Sequence, residues 1–357
     1  MPDKLKIGIV GCGAVARERH ISGFLKVKGK AVLQATCDKN ENLAREIAGH
    51  YGIPGVYSDI SEMLDRERLD IVDICVPQQI HAPLAIAALE RGCHVLIEKP
   101  MALKTAECDA MIKASRKSGA RLCLVHNVLF HSPFLKAKEL VARGAIGAVT
   151  GMRIFLSDHR DEVLTKPDHW IHGIPGGLLG ETGPHVAYMS LAFIGKVNRV
   201  DVIARSFRKH PWAPFDEFRI EMEGDKELSS ILISYTSNHH NAYVDIMGTE
   251  GALHLDLNSM LLIRQGQRDS LQPVKLALDS LGTAMQITRG VASNAFKVIL
   301  GQAKLGHDVI IERFVDSVRD GTEPPVTDEE GRETTRVVEM MVERLRRKYG
   351  SQEEKAK

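Results

Sequence analysis

"KIGIVGCGAVARERHISGF", residues 6–24, starts with an apolar run from Ile7 to Val10 and continues through Gly11 and Gly13 to Ala16. The spacing is G-x-G-x-x-A, and each small residue has a physical task. The first glycine permits a tight strand-to-helix turn, the second lets backbone approach a pyrophosphate, and the third small residue lets helix and strand pack closely. The helix start at Ala14 and Val15 then offers backbone N–H groups and a positive dipole end to phosphate. The motif alone is weak evidence, so its surroundings decide. A strand precedes it, a helical stretch follows, and a second strand, "AVLQATCD" (31–38), ends in Asp38. An acid at that strand end suits the ribose 2′-hydroxyl and repels a 2′-phosphate, so NAD is expected over NADP; Lys39 beside it weakens the preference.

Outward from this stretch, strands and helices alternate. "NLAREIAGHYG" (42–52) and "ISEMLDRERLD" (60–70) read as helices, and "IVDICVP" (71–77) as a buried parallel strand. "HAPLAIAALERG" (81–92) is a helix, "HVLIEKP" (94–100) a strand, "TAECDAMIKASRKSG" (105–119) a helix and "RLCLVHN" (121–127) a strand. Such alternation means a doubly wound parallel sheet, with ligands at the carboxyl ends of its strands. Pro77, Gln78 and His81, then Glu98 and Lys99, then Asn127 are therefore expected to join Gly11, Gly13, Ala14, Val15, Asp38 and Lys39 around a cofactor. His126 is expected on the substrate side.

The totals agree. A chain of 357 residues is about right for two domains, and 44% apolar with 26% charged residues is a globular composition. A net charge of +1 and few aromatics give no case for nucleic acid, and no apolar run is long enough to span a membrane. The start does not read as a signal peptide. Six cysteines without C-x-x-C spacing, most within apolar runs, read as buried free thiols in a reducing cytoplasm.

Several stretches resemble the glucose–fructose oxidoreductase / inositol dehydrogenase / MocA (Gfo/Idh/MocA) family: "GIVGCGAVARERH" (8–20), "CVPQQIHAPLAIAALERGCHVLIEKPMA" (75–102), "RGAIGAV" (143–149), "GGLLGETGPH" (176–185) and "FVDSVRDGTEPPVTDEEG" (314–331). The resemblance implies an N-terminal Rossmann domain, residues 1–125, and a C-terminal α+β domain, residues 126–350, with an open, mostly antiparallel sheet and terminal helices that can pack back on the Rossmann domain. A disordered tail, 351–357, would follow. It implies a nicotinamide cofactor, a small carbohydrate-like substrate, and a homodimer or homotetramer formed through the C-terminal sheet. It places Lys99 near the substrate hydroxyl and His185 in the family's later motif, with Glu181 where aspartate is usual. Tyr188 stands where a second aspartate is common, and Leu129 where many members have arginine, so the substrate cannot be copied across.

Alcohol oxidation needs a hydride acceptor and a group that takes the hydroxyl proton. A neutral imidazole suits the second task near pH 7. His185 is the candidate base, Glu181 its orienting partner, and Lys99 the group that steadies developing alkoxide charge or itself acts as base. Pro184 cannot sit in a helix interior, so the helix is expected to begin at about 181–183 with Thr182 as its cap. The histidine-rich stretch before it suggests His159, Arg160, His169 and Trp170 as substrate contacts beside His185 and Tyr188. No metal site is expected, because no metal-ligand spacing occurs. Strands are expected from 197 to 265, two helices around Gly306, where His307 has no evident role, and an amphipathic helix from 332 to 350. A dehydrogenase leads; a redox-neutral sugar enzyme with transient oxidation, or a cofactor-sensing regulator, are the alternatives.

Overall fold

The computed structural model describes residues 4–158, 166–207, 212–237, 239–266 and 272–353. The chain forms two compact units, each discontinuous in sequence. One comprises Met1–Phe130 and Lys304–Arg336; the other comprises His131–Ala303 and Val337–Lys357. The boundary thus falls at 130/131 where the sequence suggested 125/126, and a late segment belongs with the first unit.

The first unit carries six strands: β1 (Leu5–Val10), β2 (Ala31–Cys37), β3 (Gly55–Tyr57), β4 (Ile71–Ile74), β5 (His94–Ile97) and β6 (Leu122–Leu124). Their order is β3-β2-β1-β4-β5-β6, with every pairing parallel. Ile7, Ile9, Ile71, Ile74, Val95 and Ile97 are fully buried, which is why these strands read as continuous apolar runs. The helices are α1 (Ile21–Lys26), α2 (Glu41–Tyr51), α3 (Ile60–Arg66), α4 (His81–Glu90) and α5 (Thr105–Ser118). Asn40 caps α2 through the Asn42 N–H, and Asp59 caps α3 through the N–H groups of Ser61 and Glu62.

Between β1 and β4 the strand order reverses, and this is where an open α/β sheet binds its ligand. The close approach there explains Gly11. Its φ is +91°, and a Cβ would lie 2.6 Å from the Cys75 carbonyl oxygen.

The second unit opens with α6 (Ser132–Ala142) and β7 (Val149–Ser157), then α7 (Leu178–Ile194). It continues through β8 (Arg199–Arg205), β9 (Glu217–Glu223), β10 (Leu228–Ser234), β11 (Asn241–Gly248), β12 (Gly251–Asp256) and β13 (Leu261–Gly266). The seven strands run β13-β12-β11-β7-β10-β9-β8, and only the β7–β10 pair is parallel. α8 (Pro273–Ile299) follows, and Gln286 on it bonds both the N–H and the carbonyl of Arg264, occupying the edge of β13. α9 (Gly306–Asp320) lies within the first unit, and α10 (Asp328–Glu353) begins there and ends within the second.

The start of α7 corrects the sequence reading. The helix begins at Leu178, after Gly177, and holds Pro184 in its interior. Its first turn is closed by the Gly180 N–H on the Gly176 carbonyl and the Glu181 N–H on the Gly177 carbonyl. Thr182 does not cap it; its hydroxyl bonds that of Tyr235, which also reaches the Leu178 carbonyl at 3.3 Å. These tertiary anchors offset the bond that Pro184 cannot make, a loss that local sequence rules treat as decisive. α10 likewise extends to Glu353, past the expected end at 350.

Candidate active site

A cavity of about 430 Å³ lies at the switch point of the first unit. Gly11, Gly13, Asp38, Lys39 and Pro77 line it, as the sequence reading expects of a cofactor site. It also takes in Leu43, Ser58, Asp59, Ile60, Ile80 and Leu84, which the motif did not point to, because they come from α2, α3 and α4 and from the turns that lead into α3 and α4. The Asp38 carboxylate is aimed by two backbone donors, Cys12 N–H at 2.8 Å and Asn40 N–H at 2.8 Å.

Two observations test whether these residues suit a dinucleotide. Where a Cβ on Gly13 would stand, no protein atom lies within 4 Å, so the loop keeps its outer side open to a phosphate. Beside Pro77, the buried Gln78 amide has no partner on either Nε2 or Oε1. An orphaned buried amide is costly unless a ligand or water completes it. A nicotinamide dinucleotide has the polar groups to do so, and the residues fit it.

Ala14 and Val15 stand exposed at the helix start, and neither they nor Gln78, Glu98, Lys99 and Asn127 are among the cavity's lining residues. His81 is not a cavity residue either. It is buried between two loops, with Nδ1 2.9 Å from the Pro100 carbonyl after β5 and Nε2 2.9 Å from the Val76 carbonyl after β4; a neutral ring can donate to one of the two. Burial lowers its pKa and keeps the ring neutral. His126, at the end of β6, is also buried, which pushes its pKa down to about 3. Asn127 follows at the start of a short 3₁₀ turn, Asn127–Phe130.

Glu98 and Lys99 follow β5, and the Lys99–Pro100 peptide is cis. Glu98 belongs to a buried chain of ionisable groups that the sequence did not disclose. His20 is fully buried; its Nδ1 lies 2.9 Å from both oxygens of Asp73, and its Nε2 lies 2.9 Å from Glu98 Oε1. His307, on α9, places its Nε2 3.5 Å from the same oxygen. Glu98 Oε2 accepts the backbone N–H of Lys99 at 3.1 Å.

Burial opposes the charge on His20, but Asp73 outweighs it and holds the imidazole well above its ordinary value of 6.5. Burial likewise opposes ionisation of Glu98, yet hydrogen bonds from His20 and His307 hold it well below 4.5. The raised histidine stabilises fully below pH 6.5 and loses its contribution as pH rises through its folded value. The lowered glutamate stabilises above pH 4.5 and loses its contribution as pH falls. The melting-temperature gap between the native protein and a His20→Asn variant is therefore expected to be widest between pH 4.5 and 6.5. It should narrow on both sides; a gap that does not vary with pH would contradict the charge assignment.

In the second unit, Glu181 and His185 lie four residues apart on α7 and so share a face. His185 Nδ1 is 2.6 Å from the hydroxyl of Tyr188, three residues further on. Tyr188 is buried, and it fixes the imidazole plane. His169 and Trp170 line a cavity of about 500 Å³ at the start of α7 together with Trp212, Phe215 and Arg346. Glu181, His185 and Tyr188 are not among its lining residues. His159 and Arg160 lie outside the described residues.

Residues 5–126 match the model of an oxidoreductase family with an NAD-binding Rossmann fold. Residues 134–254 match the GFO/IDH/MocA C-terminal domain. The chain belongs to the Gfo/Idh/MocA oxidoreductase family. Within the family it is 32% identical over 154 residues to myo-inositol 2-dehydrogenase of Thermotoga maritima, covering 43% of this chain and 46% of that protein. It is 25% identical over 205 residues to oxidoreductase P35 of Formosa agariphila, 56% of this chain and 64% of that one. These curated relatives are thus matched over less than two thirds of their length. The fold matches the WlbA dehydrogenase of Bordetella pertussis, solved with NADH and UDP-GlcNAcA, at a TM-score of 0.81 and 19% identity over 98% of this chain and 97% of that one. No helix among the described residues is long and apolar enough to cross a membrane.

Proposed function

We propose that this family member transfers hydride between a carbinol of a sugar, cyclitol or sugar derivative and the nicotinamide of NAD. The observation that carries the reading is the switch-point cavity, with Asp38 aimed at its rim and the unpaired Gln78 amide beside Pro77. When bound, NAD supplies the hydride chemistry. Gly11 and Gly13 receive the pyrophosphate, Asp38 the ribose hydroxyls, and Gln78 a polar group of the cofactor. Lys99, at the end of β5, holds the substrate oxygen and steadies its negative charge. His185 takes the proton: with Nδ1–H given to Tyr188, Nε2 is the basic nitrogen, and Glu181 steadies the imidazolium. His126, His169 and Trp170 are proposed substrate contacts.

The first test is NADH formation at 340 nm with NAD and NADP against sugars, cyclitols, sugar acids and nucleotide sugars. No reduction with any of them would sink the reading. Asp38→Ala is expected to weaken NAD binding about 10- to 100-fold, as loss of a charge-assisted hydrogen bond does. NADP binding should hold or improve, because the repelling carboxylate is gone. An unchanged preference would refute the role of Asp38.

The protein is proposed to be a cytoplasmic homo-oligomer assembled through its C-terminal unit. The six cysteines are free, five of them buried, which suits a reducing compartment. α8 leaves Val274, Leu278, Leu281 and Met285 exposed at helical spacing, a larger apolar stripe than a lone domain keeps in water. Leu278→Asp with Leu281→Asp is expected to reduce the sedimenting mass to that of the single chain. An unchanged mass would place the contact elsewhere.

A further inference from the structure

We propose that His20 and His307 are positioning residues that hold Lys99 in place through Glu98. The inference rests on the role proposed for Lys99. Glu98 is gripped on one oxygen and grips with the other. Oε1 faces His20 Nε2 at 2.9 Å and His307 Nε2 at 3.5 Å, while Oε2 accepts the Lys99 backbone N–H at 3.1 Å. A glutamate side chain has three rotatable bonds, so a carboxylate that must fix its neighbour's backbone needs such restraint.

Both histidines are themselves anchored. His20 has its far nitrogen on both oxygens of Asp73, a residue inside β4, so the sheet itself sets the ring plane. With a carboxylate on each nitrogen, His20 donates twice and carries its proton. The ring is then a cation that binds two strand ends, not a ligand with a lone pair to offer. His307 comes from the start of α9, and that start is locked. Asp308 accepts the Leu305 N–H at 2.8 Å and the Lys26 ammonium at 2.6 Å, and a Cβ on Gly23 would lie 2.5 Å from Ile311 Cδ1. Asp73, Glu98 and the two histidines thus bring four segments to bear on one backbone N–H: β4, the end of β5, the turn before α1 and the start of α9.

His20, Glu98 and His307 also have the donor types of a metal site, with ligand atoms within 4.8 Å of one another. A metal would require His20 to give up the proton that it holds between two carboxylates, so the ion chain is favoured.

The experiment compares His20→Asn, His307→Ala and His307→Gln with the native protein. Expected for the first two is a kcat at least tenfold lower, with KM and the NADH dissociation constant within twofold. His307→Gln, whose amide can still donate to Glu98, should recover most of the loss. In trace acetylation read by mass spectrometry, Lys99 should react at least threefold faster in His20→Asn and His307→Ala, with exposed Lys104 unchanged. Native-like labelling and kcat in variants that still bind NADH would overturn the proposal. So would parallel losses of kcat, NADH affinity and melting temperature without rescue by glutamine. Stoichiometric zinc in the purified protein, lost in His307→Ala, would overturn it too. If the native protein reduces no cofactor, the functional reading fails separately, and the labelling still decides the role of the histidines.

Discussion

Replacing Lys99 by alanine is expected to lower kcat/KM about 10³-fold, equivalent to about 4 kcal/mol of lost transition-state stabilisation. NADH affinity should change little. The expectation follows from where Lys99 stands: two residues past the end of β5, at the carboxyl edge of the parallel sheet, with its backbone tied to Glu98. A cation there acts on charge that develops only during reaction, so its removal should lower kcat more than it raises KM. His185→Ala should cost about 10²- to 10³-fold, within the range for a general base. The two pH profiles separate the roles. If His185 is the base, Lys99→Met keeps the acid limb of kcat/KM at a histidine-like midpoint and His185→Ala removes it. If the limb instead disappears with Lys99, the roles are reversed. Native-like turnover in both variants would refute both assignments and put the proton-accepting group elsewhere.

Gly11→Ala is expected to destabilise the protein by about 3 kcal/mol and to abolish NAD binding. The added Cβ would lie 2.6 Å from the Cys75 carbonyl oxygen and 2.8 Å from Val76 Cγ1, on a backbone with φ +91°. Backbone strain and overpacking each cost about 1–3 kcal/mol, and the Cys75 backbone is held by its N–H bond to the Val10 carbonyl at 2.8 Å. Gly13→Ala supplies the contrast. No protein atom lies within 4 Å of its Cβ position, so the urea midpoint should hold while NADH affinity falls. Equal destabilisation by both substitutions would mean that Gly13 is kept for folding, not for phosphate.

The Rossmann half was legible because its signals are local. Gly11, Gly13 and Asp38 sit at fixed offsets from one strand, and buried parallel strands such as Ile71–Ile74 declare themselves as apolar runs. β7 is central to the second sheet yet does not alternate cleanly in burial, so nothing in its sequence singled it out. Pro184 misled through a sound local rule that tertiary anchors overrode. His20 was invisible for another reason: its partners stand 53 and 78 residues away, and no spacing rule joins them. His307 was noticed as a histidine without a purpose; only the return of α9 to the first unit reveals its neighbour.

That return has a consequence for how the protein is made. The first unit lacks Lys304–Arg336 until synthesis has passed through the second unit's residues 131–303. At about 5–20 residues per second, the stretch from Phe130 to Arg336 takes roughly 10–40 s to synthesise. Through that interval the nascent sheet waits with Glu98 lacking His307 and the surface that receives Ile311 uncovered. The dinucleotide half is therefore not a cassette that can be cut at its apparent boundary. A fragment ending near residue 130 would emerge early and stay unfinished, a target for chaperones and proteases for want of Lys304–Arg336.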